Sequence, residues 1–202
     1  MRDRAYLQRR LSERSALPEQ ARAIDEALWA ELGTELAILV SDMSGFTRIA
    51  RAHGITHFLA LHYQGLALAR PLFAQHNGRL LKTEADNLIA TFVSPIAAAH
   101  CARALQQASA DFNASRPGDD RINFCLGLGY GRVLNLSNDA FGDEVNFAYK
   151  LGEDLACAGE ILATEAFHEA LVALTDSFQF EARAVGIAGR VELGYRRMKP
   201  CG

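Results

Sequence analysis

The sequence predicts an α+β fold, and three observations lead to this prediction. Short apolar runs of strand length alternate with longer stretches whose apolar residues recur at helical spacing. Two of the strand-like runs follow each other closely and are separated only by a cluster of turn-forming residues. The 202 residues are 50% hydrophobic and 22% charged, so one domain can bury a full core.

The overall composition excludes several classes of protein. A formal net charge of −3 gives no general attraction to nucleic acid or to anionic lipid. No stretch approaches the roughly 18 apolar residues of a membrane span, and the N-terminus lacks the apolar core of a signal peptide. The 4 cysteines are widely spaced, which argues against a zinc site and against a disulfide framework. We therefore expect a cytoplasmic protein with reduced thiols and without a nucleic-acid or membrane partner.

Residues 1–33 are predicted to form a helical segment ahead of a separate domain that covers residues 34–202. Pro18 stands near a helix start, and Gly33 closes the segment. Its apolar face comprises Ile24, Leu28 and Leu32. The pattern leaves open whether the segment caps the domain, forms a dimer contact or belongs to a regulatory region. The nearby arginines are interpreted as a solvated helix face: Arg2, Arg4, Arg9, Arg10 and Arg14.

A strand and a long helix open the domain. The apolar run "ELAILVSD" over 35–42 has the length of a buried strand, and helical spacing continues from about residue 47 to residue 76. The stretch "GRLLKTEADNLIATF" then predicts a hairpin, with strands over 79–83 and 88–93 that are joined by the polar turn 84–87.

The second half of the domain continues with a helix and a strand. Ser94 is placed to cap a helix that has Pro95 at its first position and runs to about residue 113. Three glycines at alternate positions lie in the strand predicted over 121–136: Gly127, Gly129 and Gly131. They predict a bend in the strand. They do not form a dinucleotide-binding loop, because no helix follows them directly.

The element order strand, helix, strand, strand, helix, strand is that of the split βαβ unit of ferredoxin-like folds. After this βαββαβ core come a loop and helix over 137–156, a short strand "EILAT" and a helix over 165–174. Two final strands lie near "FQFEARAV" and "RVELGYRRM". We therefore predict a ferredoxin-like core with added C-terminal helices and strands.

Two aspartates are expected to meet at one end of this core. In the predicted topology the first strand ends where the hairpin turns, which brings Asp42 beside Asp86. Two carboxylates about 5 Å apart repel by roughly 3 kcal/mol at an effective dielectric near 20, and a bridging divalent cation relieves this repulsion. The turn 45–47 after Asp42 offers backbone N–H groups to phosphate. The alternative is a helix cap at Asp42 and a turn former at Asp86.

Two further polar sets accompany the aspartates. Lys82 and Glu84 share a strand face with Asp86 if the strand stays regular, and they form either an exposed ion-pair stripe or part of a polar site. Asn146 and Lys150 stand at i and i+4 of a predicted helix, so they project from one face. That face is either solvated or aims an amide and a cation at a substrate.

Three motifs in this order resemble those of the class III nucleotide cyclase catalytic domain, over about residues 35–200. The segment "VSDMSGFTRIA" is similar to the D-x-x-G-F-[ST] segment of that family, "KTEAD" to K-x-x-G-D, and "DAFGDEVNFAYKL" to D-x-x-G-x-x-V-N-x-A-x-R-[LM]. The resemblance implies the cyclase fold. It also implies conversion of a nucleoside triphosphate to a 3′,5′-cyclic monophosphate and pyrophosphate.

The resemblance also implies roles for the matching residues. Asp42 and Asp86 would hold two divalent ions, Mg²⁺ or Mn²⁺, with the Met43 carbonyl as an additional ligand. Phe46 and Thr47 would lie in the loop around the triphosphate. In the family's two-metal reaction the ions activate the ribose 3′-hydroxyl and neutralise phosphate oxygens while pyrophosphate leaves.

Base and ribose recognition follow from the same resemblance. Lys82 would donate to the base and Asp139 would accept from an exocyclic amine, the combination that implies adenine in this family. Asn146 would orient the ribose, and Lys150 takes the place of an arginine that stabilises charge on the α-phosphate. These residues and the metal-binding acids come from different subunits in the family. The resemblance therefore implies a head-to-tail homodimer.

Three positions depart from the family pattern or match it loosely. Lys150 keeps the charge of the usual arginine but lacks its planar fork, and the loss of one such donor typically costs about 10²–10³ in rate. Ala85 replaces a glycine, which is costly if the turn requires a positive φ. Arg190 in "AGRVE" is the candidate for a phosphate-binding cation near the C-terminus.

The sequence therefore favours an adenylate cyclase that converts ATP to cyclic AMP as a homodimer, with two metal ions in each site. Two alternatives stay open: a cyclase that acts on GTP or a pyrimidine nucleotide, and a catalytically weak domain that binds nucleotide or a partner. Lys150 and Ala85 favour the weak domain. The presence of the other motif residues favours turnover.

Overall fold

The computed structural model describes residues 2–187 and 191–199. Its helices are α1 (Arg4–Ala16), α2 (Ala21–Leu32), α3 (Phe46–His53), α4 (Ile55–Gln75), α5 (Pro95–Asn113), α6 (Asp143–Tyr149) and α7 (Glu165–Val172). Its strands are β1 (Gly33–Met43), β2 (Arg79–Glu84), β3 (Asn87–Phe92), β4 (Phe124–Asn135), β5 (Ala140–Phe141), β6 (Ile161–Thr164), β7 (Phe180–Ile187) and β8 (Val191–Met198). Short 3₁₀ turns occupy Pro18–Gln20 and Gly118–Asp120, and a π-helix, Lys150–Leu155, continues from α6. Within the described ranges no helix combines the length and apolar character that a membrane span requires.

The strands form one sheet in the order β2, β3, β1, β4, β6, β8, β7, with β5 paired to β4. β1 runs antiparallel to both of its neighbours, and β2 and β3 form the predicted hairpin. The order β2, β3, β1, β4 is that of a ferredoxin-like unit. β6 pairs parallel to β4, and β8 and β7 extend that edge. The predicted α+β fold with C-terminal additions is therefore confirmed.

Both faces of the central strand are buried. In β1, Leu39 belongs to the larger core under α4, α5 and α7, whereas Ile38 and Val40 pack towards α6. This arrangement explains why β1 is a continuous apolar run in the sequence instead of an alternating one. Phenylalanines fill the larger core: Phe58, Phe73, Phe92, Phe124 and Phe167. The sheet is thus fixed from both sides at the point where β1 ends.

The helix predicted over residues 47–76 is divided in two. Gly54 lies at φ 88°, a value that residues with a side chain seldom adopt. α3 ends there, and the Gly54 N–H donates to the Ala50 carbonyl. α4 begins at the next residue. The short α3 is therefore a separate element that follows the end of β1.

The three glycines of β4, which predict a bend in this strand, lie where α6 packs closely on it. β4 pairs with β1 along the whole length of β1. A Cβ at Gly127 would lie 2.0 Å from the Ala148 carbonyl oxygen, and one at Gly129 would lie 2.5 Å from the Glu144 carbonyl oxygen. The backbone of α6 therefore rests directly on the backbone of β4.

The N-terminal helices form a hairpin that docks at the end of the sheet. The apolar residues of this contact are Leu7, Ile24, Leu28, Leu32 and Leu136. Arg14 of α1 pairs with Asp25 of α2 at 2.6 Å, and the Ser137 N–H donates to the Arg2 carbonyl at 2.7 Å. The arginines interpreted as a solvated face are exposed at Arg2, Arg4 and Arg14, and these three also pair with acidic residues of other elements.

Candidate active site

The end of β1 and the turn of the β2–β3 hairpin form an acidic cleft. β1 and β3 pair as far as Ser41 and Leu88, so that Asp42 and the turn residue Asp86 are neighbours. The cleft has a volume of about 500 Å³. It is lined by Asp42, Met43, Gly45, Phe46, Thr47, Arg48 and Asp86. The structure thus brings together the residues that the sequence predicts for the metal ions and the triphosphate loop.

The surroundings of Asp42 in the cleft disfavour its charged form. Burial, then the charge of Asp86 and a hydrogen bond with Asp86, raise the pKa of Asp42 to about 7. Arg48 is the one positively charged side chain among the described residues that line the cleft, and it is paired with Asp119. The predicted phosphate-binding cation, Arg190, lies outside the described residues. The described part of the chain therefore leaves the acidic pair without a cation of its own.

The donor set of the cleft fits a hard divalent cation. Two carboxylates and the neighbouring backbone at Met43 offer oxygen ligands of the kind that Mg²⁺ and Mn²⁺ prefer. Across residues 2–187 and 191–199, no group of three or more His, Cys, Asp or Glu side chains is placed to enclose a metal ion. Mg²⁺ commonly binds through one or two carboxylates and completes its shell with water and substrate phosphate. This cleft permits that mode of binding.

A glycine turn places the start of α3 beside the two aspartates. Gly45 lies at φ 94°, and α3 begins with Phe46. No described side chain caps this helix end, so the backbone N–H groups of its first turn are available to an anion. The ring of Phe46 packs edge-on against Phe58 of α4, with ring centroids 4.4 Å apart. This contact fixes the turn to the core.

The hairpin turn carries a strained residue next to Asp86. Ala85 adopts φ 52°, in the left-handed region where a residue with a Cβ pays about 1–2 kcal/mol. The turn thus requires the positive φ that the glycine of the family motif would supply without strain. The strain lies at the hairpin tip, which is the part of the hairpin that holds Asp86 beside Asp42.

A second polar group forms around Lys82 and Asp139. Lys82 Nζ lies 3.2 Å from Asp139 Oδ1 and 2.9 Å from Glu84 Oε2. Burial opposes the charge of Lys82, but its hydrogen bonds with Glu84 and Asp139 outweigh burial and raise its pKa. The buried Asp139 carboxylate accepts from the Ala140 N–H at 3.0 Å through Oδ1, and its Oδ2 pairs with Arg4 of α1. Each charge of this group has a partner within the chain.

The common face predicted for Lys82, Glu84 and Asp86 is divided. β2 shifts its register between Leu80 and Lys82, and Asp86 lies in the turn, where it lines the acidic cleft. Lys82 and Glu84 instead pair with each other. Tyr149 of α6 donates to Glu84 at 3.2 Å. The alternation of a regular strand therefore does not extend to the hairpin tip.

Asn146 and Lys150 lie on α6 and at the start of the π-helix. Asn146 is exposed, and Lys150 pairs with Asp154 at 2.5 Å. Neither of these two described residues lines the acidic cleft. Within one chain, the structure therefore does not bring them into the cleft that holds Asp42 and Asp86.

Sequence reasoning missed three residues that connect these elements. Glu144 accepts from Thr164 Oγ1 at 2.6 Å, which ties α6 to the end of β6. Glu153 accepts from Asn87 Nδ2 at 2.5 Å, beside the hairpin tip. The third residue is Arg4 of α1, which pairs with Asp139. Glu144 had a signal in the sequence, because the alternate glycines of β4 mark a strand on which a helix can rest closely.

Comparisons with known proteins agree with the motifs. No family model matches the chain. The protein named "Putative adenylate cyclase 3" of Rhizobium meliloti (strain 1021) is 36% identical over 141 residues, which are 69% of this chain and 24% of that protein. The chain thus spans about a quarter of the length of this curated relative.

Two solved structures share the fold. The adenylate/guanylate cyclase/hydrolase from Silicibacter pomeroyi is 26% identical with a TM-score of 0.69, and the match covers 84% of this chain and 99% of that chain. The adenylyl cyclase CyaB from P. aeruginosa is 16% identical with a TM-score of 0.71, over 84% of this chain and 96% of that chain, and at this identity the likeness concerns the fold alone. With the strand order and the three motifs, these matches place the chain in the family of class III adenylate and guanylate cyclase catalytic domains.

Proposed function

We propose that the protein converts ATP to 3′,5′-cyclic AMP and pyrophosphate, with two divalent ions in each site of a homodimer. The observation that carries this proposal is the pairing of Asp42 with Asp86 beside a helix start whose N–H groups are available. Two carboxylates that have no unpaired cation among the described residues of their cleft, next to a turn with available N–H groups, suit a triphosphate that arrives with its metal ions.

The reaction joins the ribose 3′-oxygen to the α-phosphorus and breaks the bond from that phosphorus to the oxygen bridging to the β-phosphate. The 3′-hydroxyl loses its proton to water, and pyrophosphate leaves. Bound ions supply Lewis acidity at the 3′-oxygen and at the phosphate oxygens. Asp42 and Asp86 would hold those ions, and the first turn of α3, at Phe46 and Thr47, would bind phosphate through its N–H groups.

ATP is the favoured substrate because of Lys82 and Asp139. Adenine has an acceptor at N1 and an exocyclic amine at N6, which complement a lysine donor and a carboxylate acceptor that lie 3.2 Å apart. Guanine has a carbonyl oxygen in place of that amine, and this oxygen would meet the Asp139 carboxylate unfavourably. A site for GTP would require a different pair at these positions.

A homodimer is proposed because one chain does not assemble the whole site. Asn146 lies on α6 and Lys150 at the start of the π-helix that continues it, and neither is among the residues that line the acidic cleft. Asn146 is exposed, which leaves its amide accessible to a second subunit. In the head-to-tail dimer that the family resemblance implies, α6 of one subunit completes the cleft of the other. Monomers are then expected to be inactive.

A catalytically weak nucleotide-binding domain is the second candidate, and two observations favour it. Lys150 is paired with Asp154 at 2.5 Å, so its charge is partly neutralised before any phosphate binds. Ala85 strains the turn that positions Asp86. Both features affect the rate of the reaction more than the binding of nucleotide. Turnover therefore separates the two candidates.

Turnover of each of the four ribonucleoside triphosphates, with Mg²⁺ and with Mn²⁺, tests the proposal. We expect cyclic AMP from ATP. Asp42→Ala and Asp86→Ala should each lower kcat/KM by about 10³ or more, because each removes a ligand of the ions. The control is Asp111→Ala, which removes an exposed carboxylate of α5 that accepts from Gln107. Binding of ATP without a cyclic product from any triphosphate would establish the weak domain instead.

Mixing inactive variants tests the shared site. Asp42→Ala and Asn146→Ala should each be inactive alone, because each homodimer then lacks one half of both sites. In an equal mixture half of the dimers are mixed and carry one intact site, so roughly a quarter of the wild-type activity should return. Absence of any recovery, with dimers present, would contradict a site built from two subunits.

A further inference from the structure

The contact between Arg4 and Asp139 joins the N-terminal helix to the proposed base subsite. The Asp139 side chain is 3% exposed. Its Oδ1 faces Lys82 at 3.2 Å and accepts from the Ala140 N–H at 3.0 Å. Its Oδ2 is paired with the Arg4 guanidinium. Both oxygens of this carboxylate are therefore engaged by the chain itself.

Oδ2 of Asp139 still lacks a hydrogen bond of good geometry. The atom is buried, and the Arg4 guanidinium lies beside it as an ion-pair partner without the alignment of a hydrogen bond. Buried polar atoms of native proteins nearly always have a hydrogen-bond partner. This acceptor therefore marks a position for a hydrogen-bond donor of a ligand. In the structure, the Arg4 guanidinium occupies that position.

The surroundings of Arg4 fix its backbone but leave its side chain room to move. Asp3 caps α1 by accepting from the Tyr6 N–H at 2.9 Å. Leu7, one turn after Arg4, is buried in the contact between the helical hairpin and the sheet. The Arg4 side chain is 56% exposed, and its guanidinium also lies 5.8 Å from the ring centre of Phe141. The guanidinium can therefore leave Oδ2 while α1 stays docked.

We propose that Arg4 is a positioning residue for base recognition, which holds Oδ2 of Asp139 until the exocyclic amine of the nucleobase takes its place. The inference rests on the proposed function, because that function assigns Asp139 to the base. An incoming amine must displace the guanidinium before it can donate to Oδ2. Arg4 therefore weakens the binding of bases that use Oδ2 and does not affect a base without an amine.

The effect of removing Arg4 has a defined sign. In Arg4→Ala, Oδ2 of the nucleotide-free protein loses its ion-pair partner, which raises the free energy of that state. The amine of adenine supplies the missing donor. The KM for ATP should therefore fall about tenfold at unchanged kcat, an effect of the size of one hydrogen bond to a charged group.

The experiment compares ATP with purine riboside triphosphate, which lacks the exocyclic amine, as substrates. Arg4→Ala should lower the KM for ATP and leave the KM for the analogue unchanged, and Arg4→Lys should restore wild-type values. Arg10→Ala is the control, because Arg10 pairs with Glu13 of the same helix. Equal changes for both substrates would show a structural effect of α1. That result, or a rise in the KM for ATP, would overturn the proposal.

A measurement without nucleotide separates this inference from the proposed function. Urea unfolding of the wild type, Arg4→Ala, Asp139→Asn and the double variant gives the coupling between the two residues. We expect non-additive effects, because either single change leaves the other residue without its partner. Additive effects would overturn the inference and leave the cyclase proposal intact. If coupling is present but the wild type cyclises no triphosphate, the proposed function fails, and the role of Arg4 in base recognition fails with it.

Discussion

The two halves of the candidate site differ in how their charges are balanced. At the acidic cleft, Asp42 and Asp86 face each other, and the guanidinium of Arg48 is paired elsewhere. Around Asp139, the chain supplies a cation to each oxygen of the carboxylate. Among the described residues the acidic cleft therefore has no unpaired cation, and under the proposed function it would take cations from solution, whereas the group around Asp139 would release a partner before it binds a base.

This difference shows how each half selects its ligand. An uncompensated pair of carboxylates is stabilised by any suitable cation, so its binding is driven by neutralisation. A compensated group gains little from another charge, and it accepts only a ligand whose donors and acceptors replace the contacts that are lost. If the proposed function holds, metal ions would be recruited by charge, and the base would be selected by the geometry of its hydrogen bonds.

Apart from the variants of Asp42 and Asp86, the largest expected effect concerns the positive charge of Lys150, which is paired with Asp154. Lys150→Met removes the cation of α6 and should lower kcat by about 10²–10³, the loss typical of one preorganised donor to a developing charge. Lys150→Arg should raise kcat by about tenfold, because a planar fork can keep Asp154 and still donate to phosphate. The control is Arg22→Met, which breaks an exposed i,i+4 pair with Glu26. Steady-state turnover of ATP measures these effects, and a fall in kcat for Lys150→Arg would instead show a site built around lysine.

The next effect tests the close contact of α6 with β4. Tyr149 of α6 donates to Glu84, so this contact also supports the group around Asp139. Gly127→Ala places a methyl group 2.0 Å from the Ala148 carbonyl oxygen. The free energy of unfolding should fall by about 3 kcal/mol or more, because the obstacle is backbone. Gly118→Ala is the control, since its added Cβ meets nothing within 4 Å. Urea denaturation measures both variants, and equal stabilities would show that α6 can shift to admit the side chain.

The third effect concerns the acidic cleft alone. The pKa of Asp42 rises from its usual 3.8 to about 7 on folding, so between these values the folded state keeps a proton that the unfolded state has lost. The stability of the metal-free protein should therefore fall as pH rises from about 4 to about 7. Asp42→Asn should remove this part of the pH dependence. Thermal unfolding across this range measures it, and parallel profiles for the two proteins would contradict a shifted Asp42.

Added Mg²⁺ extends the same measurement above pH 7, where Asp42 has lost its proton. At a hundred times its Kd, the ion should stabilise the wild type by about 2.7 kcal/mol. Asp42→Asn should gain much less, because the cleft then has one carboxylate. Equal stabilisation of both proteins would show that Mg²⁺ binds outside the acidic cleft. The proposed difference between this cleft and the group around Asp139 would then be wrong.

The smallest expected effect concerns the strain at the hairpin tip. Ala85→Gly should raise the free energy of unfolding by about 0.5–1 kcal/mol, because glycine adopts a positive φ without a steric cost. Asn77→Gly is the matched control, since Asn77 also has a positive φ, of 55°, but asparagine tolerates that region well. Chemical denaturation measures both. A destabilised Ala85→Gly would show that the methyl group makes contacts that outweigh its strain.

Most of the fold could be predicted from patterns among residues that are close together in the sequence. The turn formers over 84–87 and the Ser94-Pro95 pair set boundaries that the structure reproduces within a residue or two. The neighbourhood of Asp42 and Asp86 could be predicted because the βαβ unit fixes the direction of its strands. These features depend on residues close in sequence or on topology, so one sequence was sufficient.

Features that depend on distant contacts or on exact dihedral angles could not be predicted. Helical spacing continues through Gly54, so the division of the long helix had no signal apart from the glycine itself. The cost of Ala85 depended on the sign of φ, which the sequence does not give. Arg4 and Asp139 pair although they lie far apart in the sequence, and no local pattern encodes such a contact.

The contact of α6 with β4 also has an evolutionary consequence. Where backbone rests on backbone, no compressible side chain separates helix and sheet, and their spacing is set by atomic radii. Residues on the outward face of α6, such as Asn146, can then be exchanged without a change in the distance between helix and sheet. The outward side of the helix can thus vary in evolution, while the glycines of β4 on the other side keep the geometry constant.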